Sequence, residues 1–332
     1  MTAPDISVVL PFRDAAATLL EALESLRQQT HADFECLLVD DGSIDESPAI
    51  AADCAVRDRR FRVLRGGQGL VEALNLGIAA ARSPFIARMD ADDLCHPERF
   101  ARQRKALLAD RTLSAVGCLV DCYPDAAGEG MRRYVDWLNS VVTPEAIRAA
   151  IFVESPLAHP SVMLRADALQ AIGGYRTTDG PEDYDLWLRL VLAGHRLGKV
   201  PHALLRWRDG ARRLSRRDPR YHAAQFFATK LAHFPGAVAP TRAVEIWGAG
   251  PTGRAWARAL RSRGYTLRRF VDIAPRRWGR SLFGIPIEPP EPINPAAAFA
   301  LIAVGSRAPR DWIEARFAER GLSPWQHYLA VA

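Results

Sequence analysis

Residues 6–43, ISVVLPFRDAAATLLEALESLRQQTHADFECLLVDDGS, decide how the chain is built. The first seven are mostly apolar and β-branched and read as a buried strand. From Ala15 to Gln29 the spacing changes, and Leu19, Leu23 and Leu26 recur on one face of a helix. FECLLVD (34–40) is a second strand, ending in acids before Gly42. Strand, helix and strand in this order make a βαβ unit with parallel strands. The apolar run at 6–12 is short and has no basic leader, so it is expected to be a strand rather than a signal peptide.

The alternation continues outward. DESPAIAADCAVRD (45–58) reads as a helix, FRVLR (61–65) as a strand, GLVEALNLGIAAAR (69–82) as a helix and PFIARMD (84–90) as a strand. The fold class is therefore α/β, a mostly parallel sheet flanked by helices. Ligands of such sheets bind beyond the carboxyl ends of the strands. VDDGS (39–43) and RMDADD (88–93) both stand at such ends, so two acidic clusters can face one crevice. LSAVGCLVDCY (113–123) is a further strand and PDAAGEGMRR (124–133) reads as a turn. TPEAIRAAIFV (143–153) reads as a helix capped by Thr143, and PEDYDLWLRLVLAG (181–194) as a helix from Pro181 to Gly194. The Arg-rich segment 206–221 reads as a loop.

With 332 residues, two domains are expected. The Pro and Gly of HFPGAVAPTR (233–242) suggest the boundary: a first domain at 1–235, a linker at 236–242 and a second α/β domain at 243–332. Hydrophobic content of 48% and charged content of 25% are ordinary for a globular chain. No apolar run reaches the roughly 20 residues of a membrane span. Five cysteines without a CxxC pair fit a reducing compartment, so a cytoplasmic location is expected. The formal charge of +6 is uneven: residues 241–332 hold 14 Arg against 7 acids. That surface could meet anionic lipid or a phosphorylated ligand; no nucleic-acid motif accompanies it.

Asp90, Asp92 and Asp93 crowd three like charges at a strand end. A solvated turn would relieve them, and so would Mg²⁺ or Mn²⁺, hard ions that prefer oxygen ligands and often bridge one or two carboxylates to phosphates. An Asp-x-Asp in extended chain turns both carboxylates the same way.

The blocks 7–47, 75–100, HPSVMLR (159–165) and GGYRTTDGPEDYDLWLRL (173–190) stand in the order and spacing of the family-2 glycosyltransferases, which the chain resembles over roughly residues 5–215. The resemblance implies a GT-A fold, a nucleoside-diphosphate sugar donor (UDP-sugar favoured) and transfer with inversion to a hydroxyl of a saccharide or lipid-linked glycan, as in bacterial polysaccharide assembly. It implies that Pro11 and Arg13 pack on the nucleotide base and that Asp41 hydrogen-bonds it, Asp40 being structural. Asp90 would lie near the ribose, Asp92 would bind the metal, and Asp93 would cap the next turn. Asp183 matches the general base. Its helix N-terminus would favour the charged form, while Glu182 and exclusion of water would oppose it. Asn75 and Gly77 match a segment that runs along the donor, and His159 matches the acceptor side. Arg208 and Arg213 match a loop that closes over the diphosphate, although the surrounding RWRDGARRLS departs from the commoner family pattern. Lipid-linked acceptors would also imply peripheral contact with the inner membrane face.

WGAGPTG (247–253) places Gly248, Gly250 and Gly253 between a strand and a helix, with Asp272 ending the next strand. That is a dinucleotide fingerprint, and by itself it points to an NAD(P)-dependent oxidoreductase or epimerase. Pro251 removes one phosphate-facing N–H, however, and about 90 residues make only half a dinucleotide fold. A Rossmann-like accessory module, supporting or docking, is the expectation, with nucleotide binding as its alternative.

Overall fold

The computed structural model describes residues 3–123, 128–210, 213–291 and 297–332. Residues 124–127 of the expected turn, 211–212 of the Arg-rich segment and 292–295 of the Pro-rich tract IPIEPPEPINP lie outside them. The chain divides into two compact units, 1–148 with 156–226, and 149–155 with 227–332.

The first unit opens with β1 (Ile6–Phe12), α1 (Leu19–Arg27), β2 (Phe34–Asp40), α2 (Ser47–Arg57), β3 (Phe61–Arg65), α3 (Leu70–Ala80) and β4 (Phe85–Arg88). Every residue of β1 and β2 is buried, as expected of parallel strands covered on both faces. Leu19, Leu23 and Leu26 are the buried stripe of α1. Then come β5 (Leu94–Cys95), α4 (Arg99–Ala109), β6 (Leu113–Tyr123), α5 (Glu129–Ser140), α6 (Pro144–Ala150), β7 (Met163–Arg165), α7 (Ala166–Ala171), α8 (Glu182–Leu192), β8 (Arg196–Arg208) and α9 (Leu214–Arg217), followed by α10 (Ala223–Ala237), most of which belongs to the second unit. Eight strands join in the order β3-β2-β1-β4-β7-β6-β8-β5. The first four are parallel, and β7 runs against both β4 and β6.

Register sets the site. Phe12 pairs with Asp40, Asp40 with Arg65, and Val9 with Arg88, so the chain segments after β1, β2 and β4 leave the sheet side by side. Leu94 and Cys95 of β5 pair with Arg206 and Leu205, which brings the end of β8 beside the aspartates.

Three expectations need correction. Residues 129–133 are helix, not turn: Val135 and Leu138 are buried, with Met131, Tyr134 and Trp137 packed on the same core, a 3.6-residue spacing that the glycines obscured. Residues 206–208 are the end of a strand; Leu205 and Trp207 are buried around exposed Arg206, an alternation hidden by the arginines. The expected linker begins inside α10, which continues through Pro235 to Ala237, and the division between units falls after Phe226.

The second unit contains β9 (Val244–Trp247), α11 (Pro251–Ser262), β10 (Leu267–Val271), β11 (Ser281–Leu282), β12 (Ile285–Glu288), β13 (Phe299–Ile302), α12 (Arg307–Ala318) and β14 (Tyr328–Ala330). Its sheet order is β11-β12-β10-β9-β13-β14, parallel except for β11. Residues 149–155 group with it because the Phe152 ring meets Phe234 edge-on at 6.2 Å and Trp325 at 5.9 Å. Gly253 lets α11 sit on the turn after β9: a Cβ there would stand 1.9 Å from the Gly248 carbonyl oxygen. Gly253→Ala is therefore expected to destabilise this unit by about 3 kcal/mol, measured as a lowered denaturation midpoint. Among the described residues no helix is long and apolar enough to cross a membrane.

Candidate functional site

Beyond β4 the chain turns through Met89–Asp93 into β5, and this turn carries the acidic cluster. Carboxylate oxygens of Asp90, Asp92 and Asp93 lie within 4.8 Å of one another, and among the described residues no other group of three potential ligands gathers so closely. Burial and the neighbouring Asp90 push the Asp92 carboxyl up to about 6, partly offset by Arg213 and Arg88. Burial, then Asp90 and Asp92, push Asp93 well above the usual carboxylate range. Asp93 Oδ2 is buried without a hydrogen-bond partner. Hard oxygen donors, mutual repulsion and an orphaned oxygen together fit a divalent cation.

Asp93 differs from its expected role as a turn cap. Its Oδ1 accepts from the Arg208 N–H at 2.7 Å, so it ties the cluster to the end of β8. Arg208 is also not a free phosphate ligand. Its Nε donates to the Asp92 carbonyl at 2.6 Å, Nη2 reaches Glu21 at 2.5 Å, and the guanidinium lies over the Tyr123 ring at 4.7 Å. Arg213 stacks on Trp207 at 4.2 Å, and its charge reaches Asp92 and Asp93.

At the end of β2, Asp40 Oδ1 accepts from the Ser43 N–H at 2.9 Å and holds the turn. Asp41 is buried, and its Oδ1 accepts from the Gly69 N–H at 2.8 Å. The glycine loop closes on Asp41: Gly67 has φ +134°, and a Cβ there would lie 2.9 Å from that oxygen. Pro11 is buried in β1, and Arg13 is exposed just past its end.

Two residues expected along the donor are packing devices. Asn75 grips the Tyr175 backbone in both directions, donating to its carbonyl at 2.9 Å and accepting from its N–H at 3.0 Å. A Cβ at Gly77 would stand 2.5 Å from Val9, so this glycine brings α3 down onto β1.

Asp183 lies in the first turn of α8, partly exposed, with Oδ1 accepting from the Tyr184 N–H at 2.8 Å. The competition over its charge is decided: burial first, then Glu182, raise its pKa to about 8. Glu182 is 1% exposed, and burial raises its pKa too, against an opposing hydrogen bond from Tyr221. His159 is buried, shares a 2.7 Å hydrogen bond with the Tyr175 hydroxyl, and is kept neutral by burial and by Arg88.

Sequence reasoning passed over Arg88. It is buried at the end of β4, ion-paired with Asp90, and its charge acts on Asp92, Glu182, Asp183 and His159 alike. One field therefore spans the cluster beyond β4 and the start of α8. The signal was present: an arginine inside a strand whose neighbours are all buried.

In the second unit, Gly248, Gly250, Asp272, Arg277 and Val304 line a cavity of about 210 Å³ beyond β9, β10 and β13. Asp272 is already engaged. Its Oδ2 accepts from Ala249 N–H at 2.9 Å and from Arg277 at 2.6 Å, and its Oδ1 from Ala274 N–H at 2.9 Å.

Comparison with known proteins gives a consistent picture. The model of the family described as Glycosyl transferase family 2 matches residues 7–173. EpsE of Bacillus subtilis, named as a glycosyltransferase, is 30% identical over 224 residues, covering 66% of this chain and 78% of EpsE. The amylovoran biosynthesis glycosyltransferase AmsE of Erwinia amylovora is 30% identical over 207 residues, covering 62% of this chain and 76% of AmsE. Among solved structures, S. aureus TarS 1–349 in complex with UDP-GlcNAc shares the fold at TM-score 0.56 and 16% identity, over 71% of this chain and 67% of that one. Against a longer TarS chain the match spans 40% of its length. The mannosyltransferase PcManGT of Pyrobaculum calidifontis, in complex with GDP-Man and Mn²⁺, matches at TM-score 0.53 and 20% identity, over 80% of this chain and 70% of that one.

Proposed function

The chain belongs to glycosyl transferase family 2 and is a glycosyltransferase, and from that premise we propose an inverting, metal-dependent transfer from a nucleoside-diphosphate sugar. A UDP-sugar is the favoured donor, and a hydroxyl of a saccharide or lipid-linked glycan is the acceptor. Bacterial polysaccharide or glycan assembly is the setting that the names of relatives such as AmsE support. The observation that carries the reading is the pairing of two acid sets under one arginine. Asp90 and Asp92 stand at a strand end, and Asp183 stands at a helix start with its pKa raised to about 8.

The proposed step is a direct displacement. The acceptor oxygen attacks the anomeric carbon as the bond from that carbon to the diphosphate oxygen breaks. Asp183 takes the hydroxyl proton on the face opposite the leaving group, which gives inversion. A divalent ion held by Asp92 would neutralise the charge that develops on the diphosphate, with Asp90 near the ribose of the donor. Asp41 would read the base, with Pro11 and Arg13 beside it. Arg213 supplies positive charge near Asp92. Arg208 acts indirectly, through Asp93 and the Asp92 carbonyl. The proposed location is the cytoplasmic face of the membrane, where lipid-linked acceptors would be met.

For the second unit we propose a supporting or docking role rather than NAD(P) chemistry. The carboxylate that would hold ribose hydroxyls already serves Ala249, Ala274 and Arg277. The first helical residue of α11 is a proline without an N–H.

A thermal-shift screen of UDP, GDP, dTDP and NAD, each with and without Mn²⁺, tests the reading. UDP with Mn²⁺ is expected to raise the melting temperature by roughly 5–10 °C near saturation, and much less without the metal. A chain that responds to no nucleoside diphosphate, with or without Mn²⁺, would sink the donor assignment.

A further inference from the structure

Glu182 is the first residue of α8 and is almost fully enclosed. A buried carboxylate needs partners, and few face it. Its Oε2 accepts from the Tyr221 hydroxyl at 2.7 Å. Its Oε1 lies 3.6 Å from His159 Nδ1, but that imidazole is neutral, so the approach is not an ion pair. The charges of Arg88 from β4 and Arg220 beside Tyr221 act on it from further away. Asp183 is next to it on the same turn, and Tyr175 faces both acids. Further along the helix, Asp185 is matched by Arg189 at 2.8 Å. Tyr221 itself comes from a single 3-10 turn, Pro219–Tyr221, 39 residues beyond its partner.

We infer that Tyr221 is a positioning residue for sugar transfer: its hydroxyl holds Glu182 as a carboxylate against the side of Asp183. The inference rests on the assignment of Asp183 as the base. Tyr221 then acts on the reaction only through Glu182. The hydrogen bond from Tyr221 stabilises the charged form of Glu182 against the effect of burial. The Glu182 charge in turn disfavours a second negative charge at Asp183, which raises the proton affinity of the base. A base of higher proton affinity pulls harder on the acceptor hydroxyl. The Tyr221 hydroxyl donates a 2.7 Å hydrogen bond to Glu182, alongside the bond from Glu182's own backbone N–H.

The consequence runs opposite to ordinary damage. Tyr221→Phe removes the donor, so the Glu182 pKa rises further and its carboxylate is more readily protonated. Its charge beside Asp183 is then weakened, and Asp183 ionises more easily. The acidic limb of the kcat profile should move to lower pH by about one unit, with a lower plateau at high pH. Glu182→Gln, which keeps the shape and can still accept from Tyr221, should move the limb the same way. Tyr221→Phe added to Glu182→Gln should move it no further.

The experiment measures kcat against pH for the full chain and these three variants at saturating donor, with donor Kd and circular dichroism as controls for folding. A Tyr221→Phe enzyme whose kcat falls equally at every pH, or whose limb moves upward, overturns the inference. Should Tyr221→Phe misfold, Glu182→Gln carries the decision alone, and an unmoved limb there overturns it. Asp183→Asn in the same series separates the two readings. If it retains full transfer, the base assignment fails. If it is inactive while Tyr221→Phe leaves the limb in place, only the role of Tyr221 fails.

Discussion

Asp183→Asn is expected to lower kcat by about 10²–10⁴-fold while leaving the donor Kd within about two-fold. Asparagine keeps the size of the side chain and an oxygen that can accept from the Tyr184 N–H, so the first turn of α8 should hold. What is lost is a group able to take a proton. The remaining catalysis comes from binding and from the charge arranged around the diphosphate. The wild-type pH profile belongs to the same prediction. With its pKa raised to about 8 by burial and by Glu182, the base is mostly protonated at pH 7, and kcat should climb through about pH 8. The Asn variant should show no such limb. Steady-state kinetics across pH, together with calorimetric donor binding, check both parts; unimpaired turnover would be fatal to the assignment.

The second large effect is expected at Asp92. Asp92→Asn should weaken metal-supported UDP binding by about 100-fold or more, since a hard ion loses one of its few charged oxygen donors. Without metal the same change should help the fold. The Asp92 pKa stands at about 6 in the folded chain, above the usual value, so its contribution to stability is present at acid pH and is lost as pH rises through about 6. Metal-free wild type should therefore melt progressively lower between about pH 4 and pH 7. Asp92→Asn should flatten that decline and melt a few degrees higher at pH 7.5. Saturating Mn²⁺ should reverse the order, because the cation converts the repulsion into binding. Melting curves of both proteins across pH, with Mn²⁺ and with EDTA, read this directly. A variant that is less stable than wild type in EDTA would speak against a cluster poised for a cation.

Much of the first unit was legible because its information is local. Short apolar, β-branched runs and period-3.6 patterns identify β1 through β4 and the helices between them, and the parallel arrangement then puts VDDGS and RMDADD at neighbouring strand ends. Errors arose where composition masked periodicity: glycines before α5, arginines within β8, and a proline inside α10. The roles of Arg208, Asn75 and Asp93 were misread for another reason. Each bonds to a residue from 100 to 116 positions away in the chain, and no spacing rule reports that.

The sequence by itself determined the order of strands and helices, the α/β class, and which carboxylates stand at strand ends and at a helix start. Those follow from hydrophobic period and turn chemistry, which act over a few residues. Tertiary structure alone decided the charge states and commitments of those groups. It buried Arg88 among Asp90, Asp92, Glu182 and Asp183, spent Arg208 on the aspartate turn, and set Tyr221 on Glu182. A carboxylate's proton affinity depends on solvent exclusion and on charges a few ångströms away in space. Distance along the chain does not encode either.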